Sequence, residues 1–184
     1  FADAVGGGAV YARESLSEPR EGTILTVLTD FAATVHSAVH AAGVRDFRTL
    51  FQKALATARS SLEETRNQLE ALRRANVVDA GALGFVELVA GMADYLDTGV
   101  VPGDDSTIVM MRDEETAAGS QVDLEHRYCT ECTITGENID RRKLREEASQ
   151  LGSSLVVAGS QRKVRLHLHL NEPAKLFELA ARYG

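Results

Sequence analysis

Within the 184 residues, one run combines residue types and spacing that point to chemistry: Leu166-His167-Leu168-His169-Leu170. Strand side chains alternate between faces with a period of two, so in an extended backbone His167 and His169 share one face and the three leucines the other. A second alternating run, Tyr128-Cys129-Thr130-Glu131-Cys132-Thr133-Ile134, sets Cys129, Glu131 and Thr133 on one face and Cys132 on the opposite one. If the two runs pair in one sheet, a thiol and two imidazoles converge. Thiolate sulfur and imidazole nitrogen at about 2.0 to 2.3 Å are the ligands zinc selects, and Cys129, His167 and His169 would supply all but one of the set it takes in a tetrahedral site. The histidine pair alone reads better as a half-buried strand with two outward histidines, but a thiol of matching parity turns the reading towards a metal. Cys132, of opposite parity, is expected to face the core as a small apolar side chain. The remaining ligand position falls to water or to a partner's group, and because no general base stands nearby, a structural or docking role is favoured over a catalytic one.

The elements that must position these residues follow from periodicity. A strand over Tyr128 to Ile134, a helix over Asp140 to Leu151, a strand over Ser154 to Ala158, the histidine strand and a helix from Pro173 to Arg182 give the order β-α-β-β-α. That order predicts an α+β domain with its helices on one face of the sheet. Upstream the period is helical. Ala2, Val5, Ala9, Ala12 and Leu16 have helical spacing, interrupted by Gly6-Gly7-Gly8. Three helical glycines cost on the order of 3 kcal/mol against alanine, so either packing overrides them or the helix starts later. A phosphate loop is not indicated there, because its lysine and strand context are missing.

After the breaker run Ser17 to Gly22, Thr23 opens a helix that runs to about Ala42 and stops at Gly43. The Gly22-Thr23 pair offers N–H groups to an anion or nucleotide, or serves only as a cap. His36 and His40 have the i, i+4 spacing of metal ligands, but the dipole near a helix C-terminus favours histidine without a metal. Asp46 caps the next helix, whose apolar stripe runs from Phe47 through Leu62, and a shorter amphipathic turn spans Thr65 to Ala75. Asp79 caps a helix carrying Leu83, Val86, Val89, Met92, Ala93 and Leu96, apolar on most sides and so expected to be buried. The small residues Ala80, Gly81, Ala82 and Gly84 in its first turn either leave backbone open to a ligand or allow close helix packing. Residues 99–125 read as a linker, where Asp104-Asp105 is a turn or a cation site. The chain thus divides into a mainly α part, 1–98, and a small α+β domain, 126–184.

Composition narrows the function classes. A hydrophobic share of 44% with 26% charged residues is that of a globular chain with material for a core. The net charge of −7 and a pI near 5.3 give no basic footprint for nucleic acid or an anionic membrane surface. No apolar run approaches the roughly 20 residues of a transmembrane helix, and no signal peptide opens the chain, which places it in the cytoplasm. Two cysteines three apart point to metal or redox chemistry rather than a disulfide framework. A start at Phe1, inside a helical pattern, reads as a fragment.

REGTILTV at Arg20 to Val27, NVVDAGALGF at Asn76 to Phe85, YCTEC at Tyr128 to Cys132, and SSLVVAG with VRLHLHLNEP between Ser153 and Pro173 together resemble the catalytic subunit of bacterial fatty acid kinase. The resemblance covers nearly the whole chain. It implies the C-terminal part of a nucleotide-binding helical barrel related to the L-subunit of dihydroxyacetone kinase, followed by a zinc-bearing middle domain. It assigns the zinc to Cys129, His167 and His169, and the nucleotide, ATP or ADP with magnesium, to Thr23, Ile24, Asp79, Ala80 and Gly81. It implies a fatty-acid-binding DegV-type protein or fused domain as partner, the YCTEC version being similar to fused forms, and a homodimer. The family's aspartate-rich DGDTG-like magnesium loop and its Gly-Ser phosphate loop have no counterpart here, so no catalytic residue is identified and the chain alone is expected not to turn over. The expectation is therefore a piece of an ATP-dependent fatty acid kinase. The alternatives are a non-catalytic regulatory or docking module with a structural zinc, or a dihydroxyacetone kinase-type activity.

Overall fold

The computed structural model describes residues 1–101 and 125–184; the Asp104-Asp105 pair and most of the 99–125 stretch lie outside the described residues. The chain forms two compact units. One holds Phe1–Ala12 and the described part of Arg20–Ala118, the other Arg13–Pro19 and the described part of Gly119–Gly184.

The first unit is helical: α1 (Ala2–Ser15) up to Ala12, α2 (Ile24–His40), α3 (Phe47–Gln68), α4 (Glu70–Ala75) and α5 (Ala80–Thr98). Helix α1 runs straight through Gly6 to Gly8, because its first turn is anchored by Ala2 in the core and by Val5 packed against it. Side-chain caps fix the other starts. Thr23 Oγ1 accepts from Leu25 N at 3.3 Å, Asp46 Oδ1 from Thr49 N at 2.8 Å, and Asp79 Oδ1 from Ala82 N at 2.8 Å. Helix α2 ends at His40 with Ala41 as its C-cap, slightly short of the Ala42 expected, and Gly43 follows at a positive φ of 67°. Helix α3 continues past the Leu62 stripe to Gln68, where Leu69 in an extended conformation separates it from α4. The shared core stacks Val27, Phe31 and Val35 of α2, Leu50, Ala54, Ala58 and Leu62 of α3, and Val86 and Val89 of α5.

Two expectations need correction. Helix α5 is not buried all round: Val86, Val89, Ala90 and Ala93 are buried, whereas Met92, Leu88 and Tyr95 are exposed. Its apolar residues encircle the helix, so spacing alone could not select the inward side. Leu16 does not continue the helical stripe. It leaves α1 and makes an isolated antiparallel bridge to Val156, with Ser17 N donating to the Leu155 carbonyl at 3.1 Å.

The second unit has the order β1 (Tyr128–Thr135), α6 (Arg141–Ala148), β2 (Ser153–Gly159), β3 (Lys163–Leu170) and α7 (Pro173–Ala180). The strands form an antiparallel sheet ordered β1-β3-β2, so the central position belongs to the histidine strand. Its inner face, with Ile134, Leu155, Val157, Val164, Leu166, Leu168 and Leu170, packs against Leu144 and Ala148 of α6 and Leu176 and Leu179 of α7. Both helices therefore lie on one side. Each fully buried leucine contributes about 1.5–3 kcal/mol of transfer free energy, and Leu166 and Leu168, both 0% exposed, hold the β3 register that turns the histidines outward. Residues Leu16 and Ser17 cover part of the outer edge of β2.

Candidate functional site

The two alternating runs pair. In the β1–β3 ladder Cys129 stands opposite His169, Glu131 opposite His167, and Thr133 opposite Arg165, all on the face away from the helices. Cys132 stands opposite Leu166 and packs against the leucine core; burial pushes its thiol pKa above the ordinary 9.0.

On the outward face Cys129 Sγ lies 3.8 Å from Nδ1 and 4.0 Å from Nε2 of His167, and the ligand atoms of Cys129, His167 and His169 all lie within 4.8 Å of one another. A zinc–sulfur bond of about 2.3 Å and a zinc–nitrogen bond of about 2.0–2.1 Å at a tetrahedral angle set the two atoms about 3.6 Å apart, so the sulfur and the His167 ring stand within about half an ångström of the spacing for a single ion. The donor set, one thiolate and two imidazoles, suits zinc better than magnesium or calcium.

Glu131 connects this trio to a neighbour that sequence reading left without a role. Its Oε1 accepts from His167 Nδ1 at 3.1 Å and its Oε2 from Arg165 Nη2 at 2.6 Å. These hydrogen bonds, His167's first and Arg165's second, hold the Glu131 carboxyl below its ordinary 4.5. An ionised carboxylate only accepts, so His167 donates from Nδ1, and in the neutral ring this leaves Nε2 with the lone pair a metal needs. The signal for Arg165 was parity: it shares the face of His167 and His169. Behind His169, Gly152 allows close approach, because a Cβ there would run into the His169 carbonyl.

The residues that the resemblance assigns to a nucleotide meet in the helical unit. Asp79 Oδ1 accepts from Ile24 N at 3.0 Å as well as from Ala82 N, so one carboxylate oxygen caps both α2 and α5. Gly81 sits where a Cβ would lie 3.3 Å from that oxygen and 3.6 Å from the Ile24 Cβ, which lets the two helix starts converge. Thr23 Oγ1 also donates to the Arg20 carbonyl at 2.8 Å, and Ala80 is the first residue of α5. Thr23, Ile24, Asp79, Ala80 and Gly81 thus cluster at two adjoining helix N-termini, whose N–H groups hold the Asp79 carboxylate.

Sequence reading missed one support of this cluster, Thr65, and found another, Gly22, without its reason. Thr65, fully buried, accepts from Asp79 N at 3.0 Å and donates to the Leu62 carbonyl at 2.6 Å. Gly22 adopts φ +77°, and a Cβ on it would lie 2.7 Å from the Gln68 Cβ. Only the apolar stripe of α3 marked Thr65, one helical step from Leu62.

Comparison with known proteins bears on both units. Residues 1–94 match the model of the DAK2 domain, and residues 125–184 match that of the FakA-like middle domain of fatty acid kinase. Over its whole length the chain is 31% identical to an uncharacterized protein of Staphylococcus saprophyticus and to uncharacterized proteins of Staphylococcus aureus strains USA300 and NCTC 8325. It spans about a third, 35%, of the length of each of these relatives.

Proposed function

Because the chain belongs to the DAK2-domain kinase family and carries a FakA-like middle domain, we propose that it is part of an ATP-dependent phosphotransferase acting on fatty acids. The phosphoryl acceptor is the carboxylate of a fatty acid held by a DegV-type binding protein or fused domain. The observation that carries this reading is the Asp79 oxygen that caps two helices at once, since it gathers Thr23, Ile24, Asp79, Ala80 and Gly81, the residues the resemblance assigns to the nucleotide, into one cluster. A carboxylate acceptor is already an anionic nucleophile, so positioning and charge neutralisation supply most of the acceleration. Magnesium, when bound with ATP, supplies that neutralisation at the phosphates. The 184 residues contain no DGDTG-like run, and we assign the magnesium carboxylates to the longer protein. The chain by itself is then inactive.

In the middle domain Cys129, His167 and His169 hold a zinc ion, with Glu131 and Arg165 fixing the His167 ring. Zinc with three protein ligands leaves a position for water or a partner's group. Glu131 is engaged on both oxygens, which supports the second reading, a structural or docking zinc rather than a catalytic one.

The test is acyl phosphate formation by a relative-length protein supplied with Mg-ATP, a long-chain fatty acid and a DegV-type binding protein. The proposal expects turnover there and none from the 184-residue chain under the same conditions. Phosphorylation of dihydroxyacetone in place of the fatty acid would move the assignment to the glycerone kinase reading. Tight, magnesium-dependent ATP binding by the 184-residue chain in calorimetric titration would show that the metal carboxylates have been misplaced.

A further inference from the structure

We propose that Asp3, His36 and His40 form a second divalent-metal site, built on the helical unit and independent of the Cys129 cluster. His36 and His40 lie one turn apart on α2, with ring centroids 4.3 Å apart and planes tilted by 41°. This i, i+4 pairing is the one by which helices present two imidazoles to one ion. The pair alone carries no more than its spacing. What the fold adds is a carboxylate from another helix: Asp3, in the first turn of α1, places Oδ1 3.3 Å from His40 Nε2. The three ligand atoms lie within 4.8 Å of one another. Two ligand atoms each about 2.1 Å from a tetrahedral ion lie about 3.4 Å apart, so these exposed side chains have at most about 1.4 Å to close.

The backbone beneath each ligand is held in place. Val35 and Ala38, at 1% and 6% exposure, anchor the stretch of α2 that carries His36 and His40, and Ala2, at 5%, anchors α1 beside Asp3. His40 stands in the last turn of α2, where the carbonyl end of the helix favours a cation. An exposed Asp3–His40 ion pair contributes little by itself. Two imidazoles and one carboxylate suit zinc, nickel or copper(II), and not calcium or magnesium. All three residues are exposed, so water completes the coordination and binding is reversible.

Zinc binding by the full chain tests this, with stoichiometry and affinity measured by equilibrium dialysis for a set of variants checked for unchanged helicity. Cys129→Ser removes the thiol of the other cluster and is expected to leave one zinc per chain. Adding His36→Asn and His40→Asn to it is expected to abolish that binding. Asp3→Asn in the same background should weaken it by at least about tenfold, the lower end of what loss of even an outer partner costs a metal site. If the Cys129→Ser chain binds no zinc, or binds it equally well with both helix histidines replaced, the proposal is wrong. If Cys129→Ser binds as much zinc as the parent while the histidine variants lose it, the Cys129 assignment fails and the helix site stands.

Discussion

Cys129 and Cys132, three residues apart, face opposite worlds: one lies beside two imidazoles, the other against Leu166 in the core. Reaction with a small alkylating reagent near neutral pH should therefore modify Cys129 first, since Cys132 is shielded and its thiol is pushed up by burial. Added zinc should protect Cys129 and leave the rate at Cys132 unchanged. In metal analysis, Cys129→Ser is expected to lose the sheet-bound zinc and Cys132→Ser to keep it; the reverse would mean that the strand register is off by one. The contrast was legible in the sequence because a period of two leaves only two possible faces. The Glu131–Arg165 contact was not, since parity puts charges on a face without saying which of them touch. Asp46 offers a separate test at this scale. The backbone hydrogen bond from Thr49 is the main cause of its carboxyl lying below the ordinary 3.8. A depressed native value means that the stabilisation is present above pH 3.8 and is lost as the pH falls through the lowered native value. Asn at this position caps without titrating, so the stability advantage of the parent chain over Asp46→Asn should shrink across that acid window in urea titrations, and a constant difference would refute the assignment.

At the scale of elements, the double cap by Asp79 joins α2 to α5, and its consequences separate charge from hydrogen bonding. Asp79→Ala leaves Ile24 N and Ala82 N without their acceptor and should lower stability by about 2 kcal/mol, the upper end for loss of a cap. Asp79→Asn retains an acceptor oxygen and should stay close to the parent in chemical denaturation. Equal losses in both variants would show that the negative charge, not the bond geometry, holds the helix starts together. Asp79, Thr23 and Asp46 could be read as caps because a polar residue before an apolar periodic run has few other uses. The meeting of Asp79 with Ile24 could not, because local spacing carries no information about a partner 55 positions away. The same limit hid Asp3 from His40 and sent Leu16 to the wrong element: its spacing suits a helix, while the edge of β2 supplies the competing backbone partner. The strand order β1-β3-β2 escaped reading for a related reason, since alternation tells which face is buried but not which strand lies between the others.

For the molecule as a whole, two separate cores, one of helices and one of sheet with helices, predict two cooperative transitions rather than one. The sheet unit is small, and units of that size gain most from a bound metal. A site filled at about 100 times its dissociation constant adds about 2.7 kcal/mol to the folded state, which for a domain of this size raises its midpoint on the order of 10 °C. Heating the zinc-loaded His36→Asn, His40→Asn chain, which lacks the helix site, with and without a chelator, followed by calorimetry, should therefore shift one transition and leave the other within about 2 °C, the difference a small surface effect makes. Leu168→Ala identifies which transition belongs to the sheet: its side chain is 0% exposed, and its truncation should cost about 3 kcal/mol in that unit alone. Chelation must then lower the transition that Leu168→Ala lowers. If it lowers the other one, the stabilising ion is bound by the helical unit, and Cys129, His167 and His169 do not hold the metal that matters for folding.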